Sequence, residues 1–281
     1  MNTETIFMLN SSTTQTSSPQ RWHSRLIKLA QQRWVIVLRS FILFLLIWWA
    51  CAIYNKNPLQ LPTPQLVAQA LLELWSEGEI WDHAAVSTVR LILALLLAMI
   101  LALPLGLWMG LSRPAHDIID PLVELLRPIS GIAWLPLALF IFGVGNTLPV
   151  FIMVYVAFFP LLLNTISGVH QVDSKLLAAA KTMGIGRVAT LRHVVIPSAL
   201  PHVMVGLRLA FASAWAAIVA AELIGSPSGL GFAIEWYRQL LMTSKVFAFI
   251  AVIGTVGYVC DVLLRKAKDW LTPWSQGQEL S

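Results

Sequence analysis

Six apolar runs divide this chain, and most of them are about as long as a lipid bilayer is thick. A helix of about 20 residues, rising about 1.5 Å per residue, crosses a hydrocarbon core of roughly 30 Å. Only 12% of the 281 residues are charged, about half the share that is typical of soluble domains. The sequence therefore predicts an all-α, polytopic membrane protein with one membrane domain. The expected transmembrane helices, about six, lie at 35–54, 86–111, 132–142, 148–169, 199–223 and 246–264.

The distribution of basic side chains predicts how these spans are oriented. Loops on the cytoplasmic side are enriched in lysine and arginine, and six spans place both termini on the same side. Most of the 19 lysines and arginines fall on that side, whereas Lys56, Arg238 and Lys245 fall on the other. We therefore expect cytoplasmic N- and C-termini, with a disordered basic arm at 1–34 and a tail at 269–281.

Residues 173–197, called here the 173–197 segment, form a basic polar stretch between two spans on the expected cytoplasmic side. Asp173 is suited to cap a helix over residues 175–183, and Gly184 is suited to end it. A second short helix is expected to end before Pro197. This pattern predicts two short helices about a glycine turn at the membrane surface. An ordinary amphipathic loop on lipid remains an alternative, and the flanking spans argue against a DNA-binding helix pair.

Motifs that carry catalysis or nucleotide binding are missing from the sequence. It has no G-x-x-x-x-G-K-[ST], no H-E-x-x-H and no G-x-S-x-G. Cys51 and Cys260 lie in apolar runs without metal-ligand spacing. We expect no metal, no cofactor in this chain, no nucleic-acid partner and no enzymatic activity, and a membrane enzyme is poorly supported. Transport is favoured, and the energy for it comes from another chain. Alternatively, this chain is a self-contained carrier or channel for a small anion.

A resemblance to a known family is carried by the 173–197 segment and its neighbours. The segment resembles the cytoplasmic loop of bacterial ABC-importer permeases, which has the form E-A-A-x3-G-x9-I-x-L-P. Its spacing is intact, with Ala178 in place of the glutamate. The matching positions are Ala178, Ala179, Ala180, Gly184, Val194, Ile196 and Pro197.

Further segments within residues 81–274 extend the resemblance. Among them are L-L-R-P-I-S-G-I-A-W-L-P-L at 125–137, F-F-P-L-L-L-N-T-I-S-G-V at 158–169 and V-A-A-E-L-I at 219–224. Together they look like the permeases for nitrate, sulfonate, taurine and bicarbonate. The L-T-P-W at 271–274 is most similar to taurine-type members.

The resemblance implies a type I permease core at 81–268 in a bacterial inner membrane. Its implied partners are membrane lipid, a second permease copy in a homodimer, separate ABC ATPase subunits that hold ATP and magnesium, and an extracytoplasmic solute-binding protein. The implied binding-protein-facing residues are Ser228, Gly229 and Gly231. The implied ATPase-coupling residues are Lys175, Leu176, Leu177, Ala178, Ala179, Ala180, Met183, Gly184, Arg187, Ile196 and Pro197.

Charged and polar side chains inside the spans are candidates for a translocation path, because such residues are costly in lipid. Structural pairing or snorkelling is the alternative for the arginines, and a structural or gating role is favoured for Glu222. Polar residues in spans more often bond helix to helix, and packing is favoured for Trp215. The candidates are Arg90, Asn164, Arg208, Ser213, Trp215 and Glu222.

Overall fold

The computed structural model describes the backbone of residues 19–275 and the side chains of residues 35–275, and every regular element there is helical. The all-α prediction is confirmed for this part of the chain. The α-helices are α1 Pro19–Asn55, α2 Pro64–Ser76, α3 Glu79–Leu111, α4 Arg113–Leu126, α5 Leu135–Phe142, α6 Thr147–His170, α7 Ser174–Thr182, α8 Arg187–Thr190, α9 Ile196–Gly225, α10 Leu230–Gln239 and α11 Thr243–Leu271. Two 3₁₀ turns (Gly131–Trp134 and Pro273–Ser275) and a π-helical turn (Leu191–Val195) complete them.

The chain divides into two compact units, residues 1–56 and 57–281. In the first unit, α1 contains a candidate span at Val35–Asn55 with a mean hydropathy of 2.3. Residues 19–34, part of the arm that was expected to be disordered, have a helical backbone that begins α1, and no glycine or proline interrupts the chain after Pro19. Residues 1–18 of that arm and residues 276–281 of the predicted tail lie outside the described residues.

Five helices in the described residues are long and apolar enough to cross a membrane. The expected third span at 132–142 is not one of them, because α5 has eight residues and is only about 12 Å long. Instead α4 and the residues through α5 make a pair bent by 81°, and counting that pair as one span gives six. Pro128, which has no amide hydrogen, lies in the break and prevents α4 from continuing.

The second unit is built around α6, which packs between α3 and α9. On α3 the facing residues are small and recur every four positions: Ala94, Ala98, Ala102, Gly106 and Gly110. A side chain added at Gly106 would place its Cβ 2.7 Å from the Thr165 Cβ. The small-residue stripe therefore brings the two backbones closer than larger residues would allow.

The other face of α6 approaches α9 in the same manner. A Cβ added at Gly206 of α9 would lie 2.6 Å from the Cβ of Asn164, and one added at Gly168 of α6 would lie 3.0 Å from the Ala199 carbonyl oxygen. Side chains of α6 such as Met153 and Leu161 are fully buried. This helix is thus the centre of the core.

The connection from α8 to α9 corrects one prediction. Pro197 was expected to end the second short helix, but residues 187–225 form one continuous helical body of 39 residues. A π-helical turn lies just before the proline, and the Ile196 amide donates to the Leu191 carbonyl five residues earlier. The wider turn accommodates a ring that would otherwise clash with a carbonyl in the preceding turn.

Candidate functional site

The first helix of the 173–197 segment is fixed at both ends by its own residues. The Asp173 carboxylate accepts a hydrogen bond from the Lys175 amide at 2.8 Å, as expected for an N-cap. At the other end Gly184 has a φ of +71°, and the Ile185 amide donates to the Ala180 carbonyl at 3.0 Å. This is the left-handed glycine ending that the sequence predicts. The segment is therefore a defined helix–glycine–helix shape.

An apolar patch covers the outer surface of this shape. Met183 is 76% exposed and Val188 is 80% exposed, whereas Ala180 on the inner side is 3% exposed. Lys175, Ala178, Ala179, Lys181 and Arg187 are also exposed. The exposed apolar side chains alone are called the loop patch, and they are Leu176, Leu177, Met183, Ile185 and Val188. Exposed apolar residues that lie together are typical of a surface that binds another protein.

A buried ion pair lies far along the spans from the loop patch. The Arg90 guanidinium of α3 donates to the Glu222 carboxylate of α9 at 2.7 Å, and the two side chains are 4% and 0% exposed. Asn146 precedes α6 at the end opposite His170, after which the 173–197 segment begins, and its side-chain oxygen accepts from the Arg90 Nε at 3.1 Å. A helix of 24 residues is about 36 Å long. The pair and the loop patch are therefore at opposite ends of the unit.

The same pair holds the turn between α9 and α10. The Arg90 guanidinium donates to the Ser228 carbonyl at 2.7 Å and to its hydroxyl at 2.9 Å. The Gly231 amide donates to the Glu222 carboxylate at 3.0 Å. Gly229 has a φ of +109°, and any Cβ there would collide with the same carboxylate. Residues predicted separately as path residues and as surface residues thus meet in one buried cluster, where Gly229 and Gly231 are buried and Ser228 is half-buried.

Two members of this cluster were missed by sequence reasoning. The Ser87 hydroxyl lies 2.8 Å from both Glu222 carboxylate oxygens and accepts from the Leu230 amide at 2.9 Å. Asn146 accepts from Arg90. Ser87 is one helical turn before Arg90, and that spacing could have indicated a polar face on α3. Nothing local to Asn146 indicates its partner, which is 56 positions away.

Helix α10 is also fastened to the start of α3. The buried Tyr237 hydroxyl donates to the Glu79 carboxylate. Burial and this carboxylate raise the pKa of Tyr237 above its ordinary value, so the phenol remains a donor at physiological pH. The turn and α10 are therefore held against α3 at two places.

The remaining path candidates lie elsewhere. Arg208 binds Asp261 of α11 through two bonds of 2.6 and 3.1 Å, and Asp261 also pairs with Arg265 at 3.2 Å. Trp215 stacks on Phe211 with a ring separation of 6.1 Å. Asn164 and Ser213 both line a cavity between α6 and α9. No group of three or more metal-binding side chains is found among the described residues.

Comparison with known proteins identifies the family. The family model for the binding-protein-dependent transport system inner membrane component matches residues 94–269 of this chain. The taurine transport system permease protein of Escherichia coli is 34% identical over 91% of this chain and 96% of its own length. The bicarbonate transport system permease protein of Synechococcus elongatus is 30% identical over 85% of this chain and 88% of its own. A putative aliphatic sulfonates transport permease protein of Bacillus subtilis is 34% identical over 78% and 79%.

A solved structure shares the fold. A chain of the MetNI methionine ABC transporter, in an inward-facing conformation, superposes with a TM-score of 0.56 over 67% of this chain and 92% of that one, at 15% identity. The family match and the close relatives confirm the resemblance seen in the sequence. The chain therefore belongs to the inner membrane components of binding-protein-dependent transport systems, the permease subunits of ABC importers.

Proposed function

We propose that this permease forms, with a second copy of itself, the membrane path of an ATP-driven importer for a small organic sulfonate such as taurine. In this proposal a separate ATPase subunit binds the 173–197 segment on the cytoplasmic side. An extracytoplasmic binding protein delivers the substrate to the opposite end. The substrate class rests on the names of the relatives, which include permeases for taurine and for aliphatic sulfonates.

The single observation that carries the proposal is the shape and exposure of the 173–197 segment. Its first helix has nine residues and is about 14 Å long, a size that fits a cleft on a soluble subunit. The loop patch supplies apolar surface to bury, and Lys175, Lys181 and Arg187 border it. Because exposed ion pairs each contribute only about 0–1 kcal/mol, we assign most of the docking free energy to the patch.

The state of the acidic residues in the spans supports an ATP-driven system over a self-contained carrier. A carrier coupled to protons or sodium requires a carboxylate that is free to bind them near the membrane midplane. Glu222 of α9 and Asp261 of α11 are acidic residues within the spans. In the structure Glu222 is bound by Arg90 and Asp261 by Arg208.

The cluster around Arg90 indicates that the buried residues of the α9–α10 turn position the turn and do not contact the binding protein themselves. Its buried glycines let the turn approach the Glu222 carboxylate, and its bonds to α3 hold it in one conformation. We propose that this fixed turn presents its exposed neighbours to the binding protein. In this proposal Arg90 and Glu222 hold the turn in place and do not line the translocation path.

The docking proposal is tested by placing charge on the loop patch. Met183→Glu combined with Val188→Glu should prevent the cognate ATPase from co-purifying and should abolish ATP-driven taurine uptake in proteoliposomes. Two lost apolar contacts of about 1.5–3 kcal/mol each predict binding weaker by at least about a hundredfold. Co-purification is measured by size-exclusion chromatography of the detergent-solubilised complex.

Val144→Glu is the matched control for this experiment. Val144 is 66% exposed and lies at the opposite end of the unit, close to the start of α6. It should retain the ATPase in the complex. Full retention of the ATPase by the Met183 and Val188 double variant would contradict the assignment of the 173–197 segment as the docking element.

A further inference from the structure

A cavity of about 630 Å³ lies where α4 is interrupted, and it is lined from three elements. Arg127 and Ser130 come from the break after α4, Tyr155 and Asn164 from α6, and Ser213 from α9. The volume lies within the range of pockets that hold small ligands. The cavity is separate from the 173–197 segment and from the Arg90–Glu222 cluster.

The cavity lies near the middle of the spans rather than at their ends. Tyr155 and Asn164 lie on either side of the midpoint of α6, and Ser213 is close to the midpoint of α9. The Tyr155 hydroxyl donates to the Leu126 carbonyl at 2.7 Å and so ties the break to α6. Residues 127–130 are not helical. Irregular backbone at membrane depth is tolerated where it lines a cavity, and interrupted helices often form transport sites.

The polar groups of the cavity have open bonding capacity. Within the described part of the chain, the Arg127 guanidinium and the hydroxyls of Ser130 and Ser213 make no hydrogen bond or ion pair to the protein. The Asn164 amide nitrogen donates to the Pro160 carbonyl at 2.7 Å, which uses one of its two hydrogens. Up to four donor groups are thus available to a ligand.

The charge of the lining is positive. No aspartate or glutamate is among the residues that line this cavity in the described chain. Arg208, by contrast, lines another cavity together with Asp261 and Asp269. A guanidinium without a carboxylate partner binds oxyanions strongly, because it offers several donors in one plane. The apolar part of the wall, which includes Phe159, Leu163 and Leu209, suits a short carbon chain.

We propose that this cavity is an anion subsite within the translocation path, and that it takes the sulfonate group of a small organic sulfonate. The Arg127 guanidinium supplies the charge. The Ser130 and Ser213 hydroxyls and the Asn164 amide supply hydrogen bonds. The proposal deepens the proposed function and rests on it for the substrate class.

The test uses the complex of permease and ATPase in nanodiscs of phosphatidylcholine, without the binding protein and without ATP. Saturable binding of ³⁵S-labelled taurine is measured for the wild type and for each variant. Arg127→Gln should weaken binding at least tenfold and should lower ATP-driven uptake in proteoliposomes by a similar factor. Arg113→Gln, at the start of the preceding helix α4, should leave both unchanged. The Arg127→Gln and Ser213→Lys double variant should recover binding, because it returns the positive charge to the cavity.

The outcomes separate the two proposals. Binding that depends on Arg127, without ATP-driven uptake by the wild-type complex, would overturn the proposed function and keep the subsite. Uptake by the wild type that is unaffected in Arg127→Gln would overturn the subsite and keep the function. Saturable taurine binding that is abolished when phosphatidylglycerol is added to the nanodiscs would identify a lipid phosphate as the occupant and would also overturn the subsite. A double variant that folds, by its elution profile, yet recovers nothing would count against the charge assignment.

Discussion

At the scale of single residues, the arginines of the spans fall into two groups. Arg90 and Arg208 are each neutralised by a carboxylate, at 2.7 and 2.6 Å. Arg127 has no such partner among the described side chains, although it faces a cavity beside α6. A carboxylate partner offsets part of the electrostatic cost of an arginine in a span, whereas an arginine left without one is available to a ligand. Under the proposal above, the pairing state distinguishes the two structural arginines from the one that binds the substrate.

The buried pair should show its structural role in unfolding measurements. Arg90→Met leaves the Glu222 carboxylate buried without its cation, and we expect a loss of about 3–5 kcal/mol in the free energy of unfolding. Adding Glu222→Gln should restore part of that loss, because the uncompensated charge is gone. The measurement is thermal unfolding in detergent, read as a double-mutant cycle.

An exposed pair provides the control for that cycle. Arg238 binds Glu235 at 2.5 Å on α10 and lowers the pKa of this carboxyl to about 2. Because both groups are in contact with solvent, Arg238→Met should change the unfolding temperature little. Equal losses in the buried and exposed variants would show that burial is not the source of the effect.

At the scale of helices, close approach along small residues determines the arrangement of the core. Helix α3 presents a small residue every fourth position to α6, and α9 presents Gly206 to Asn164. Arg90 lies four residues before Ala94 and thus continues the same stripe. The face that packs α3 against α6 is therefore also the face that buries the arginine.

Enlarging this stripe should separate the helices. Gly106→Leu would force a side chain against Thr165 and against the Leu162 carbonyl oxygen, 3.2 Å from the new Cβ, which is backbone and cannot rotate away. We expect a loss of about 1–3 kcal/mol from overpacking. Gly254→Leu on α11 is the control, since a Cβ there meets nothing within 4 Å. The two variants are compared by thermal unfolding and by the yield of monodisperse protein, and a Gly254→Leu loss as large as that of Gly106→Leu would contradict this packing argument.

At the scale of the whole molecule, the two ends of the second unit have different surfaces. One end carries the loop patch and its basic neighbours, and the other carries the turn fixed by Arg90 and Glu222. An importer needs this polarity, because its energy source and its substrate source lie on opposite sides of the membrane. The polarity follows from α6 and α9, which each run from one end to the other.

The orientation of these ends can be measured by labelling. With Cys51 and Cys260 replaced by alanine, a cysteine at Val188 should react with a membrane-impermeant maleimide only in inside-out vesicles. A cysteine at Val144 should react only in spheroplasts. Binding of the ATPase should protect the Val188 position and leave the Val144 position reactive. Labelling of Val188→Cys from the outside would reverse the proposed orientation.

Sequence reasoning could predict features that depend on local residues. The long apolar runs predicted the five longest spans, and Asp173 and Gly184 predicted the ends of α7, because hydropathy, capping and glycine conformation act over a few positions. It could not predict the partner of Arg90, which is 132 positions away, or the cavity beside Arg127, since both depend on how helices pack. It was wrong about Pro197 because a π-helical turn, which has no sequence signature here, precedes the proline.

That π-helical turn has a mechanical consequence. It keeps residues 187–225 in one continuous helical body, whose 39 residues extend for about 58 Å when straight. A tilt of about 10° around the middle of such a helix moves each tip by about 5 Å, in opposite directions, by simple geometry on the same helical rise. If the helix tilts as one body, a displacement at Arg187 is accompanied by an opposite displacement at Glu222.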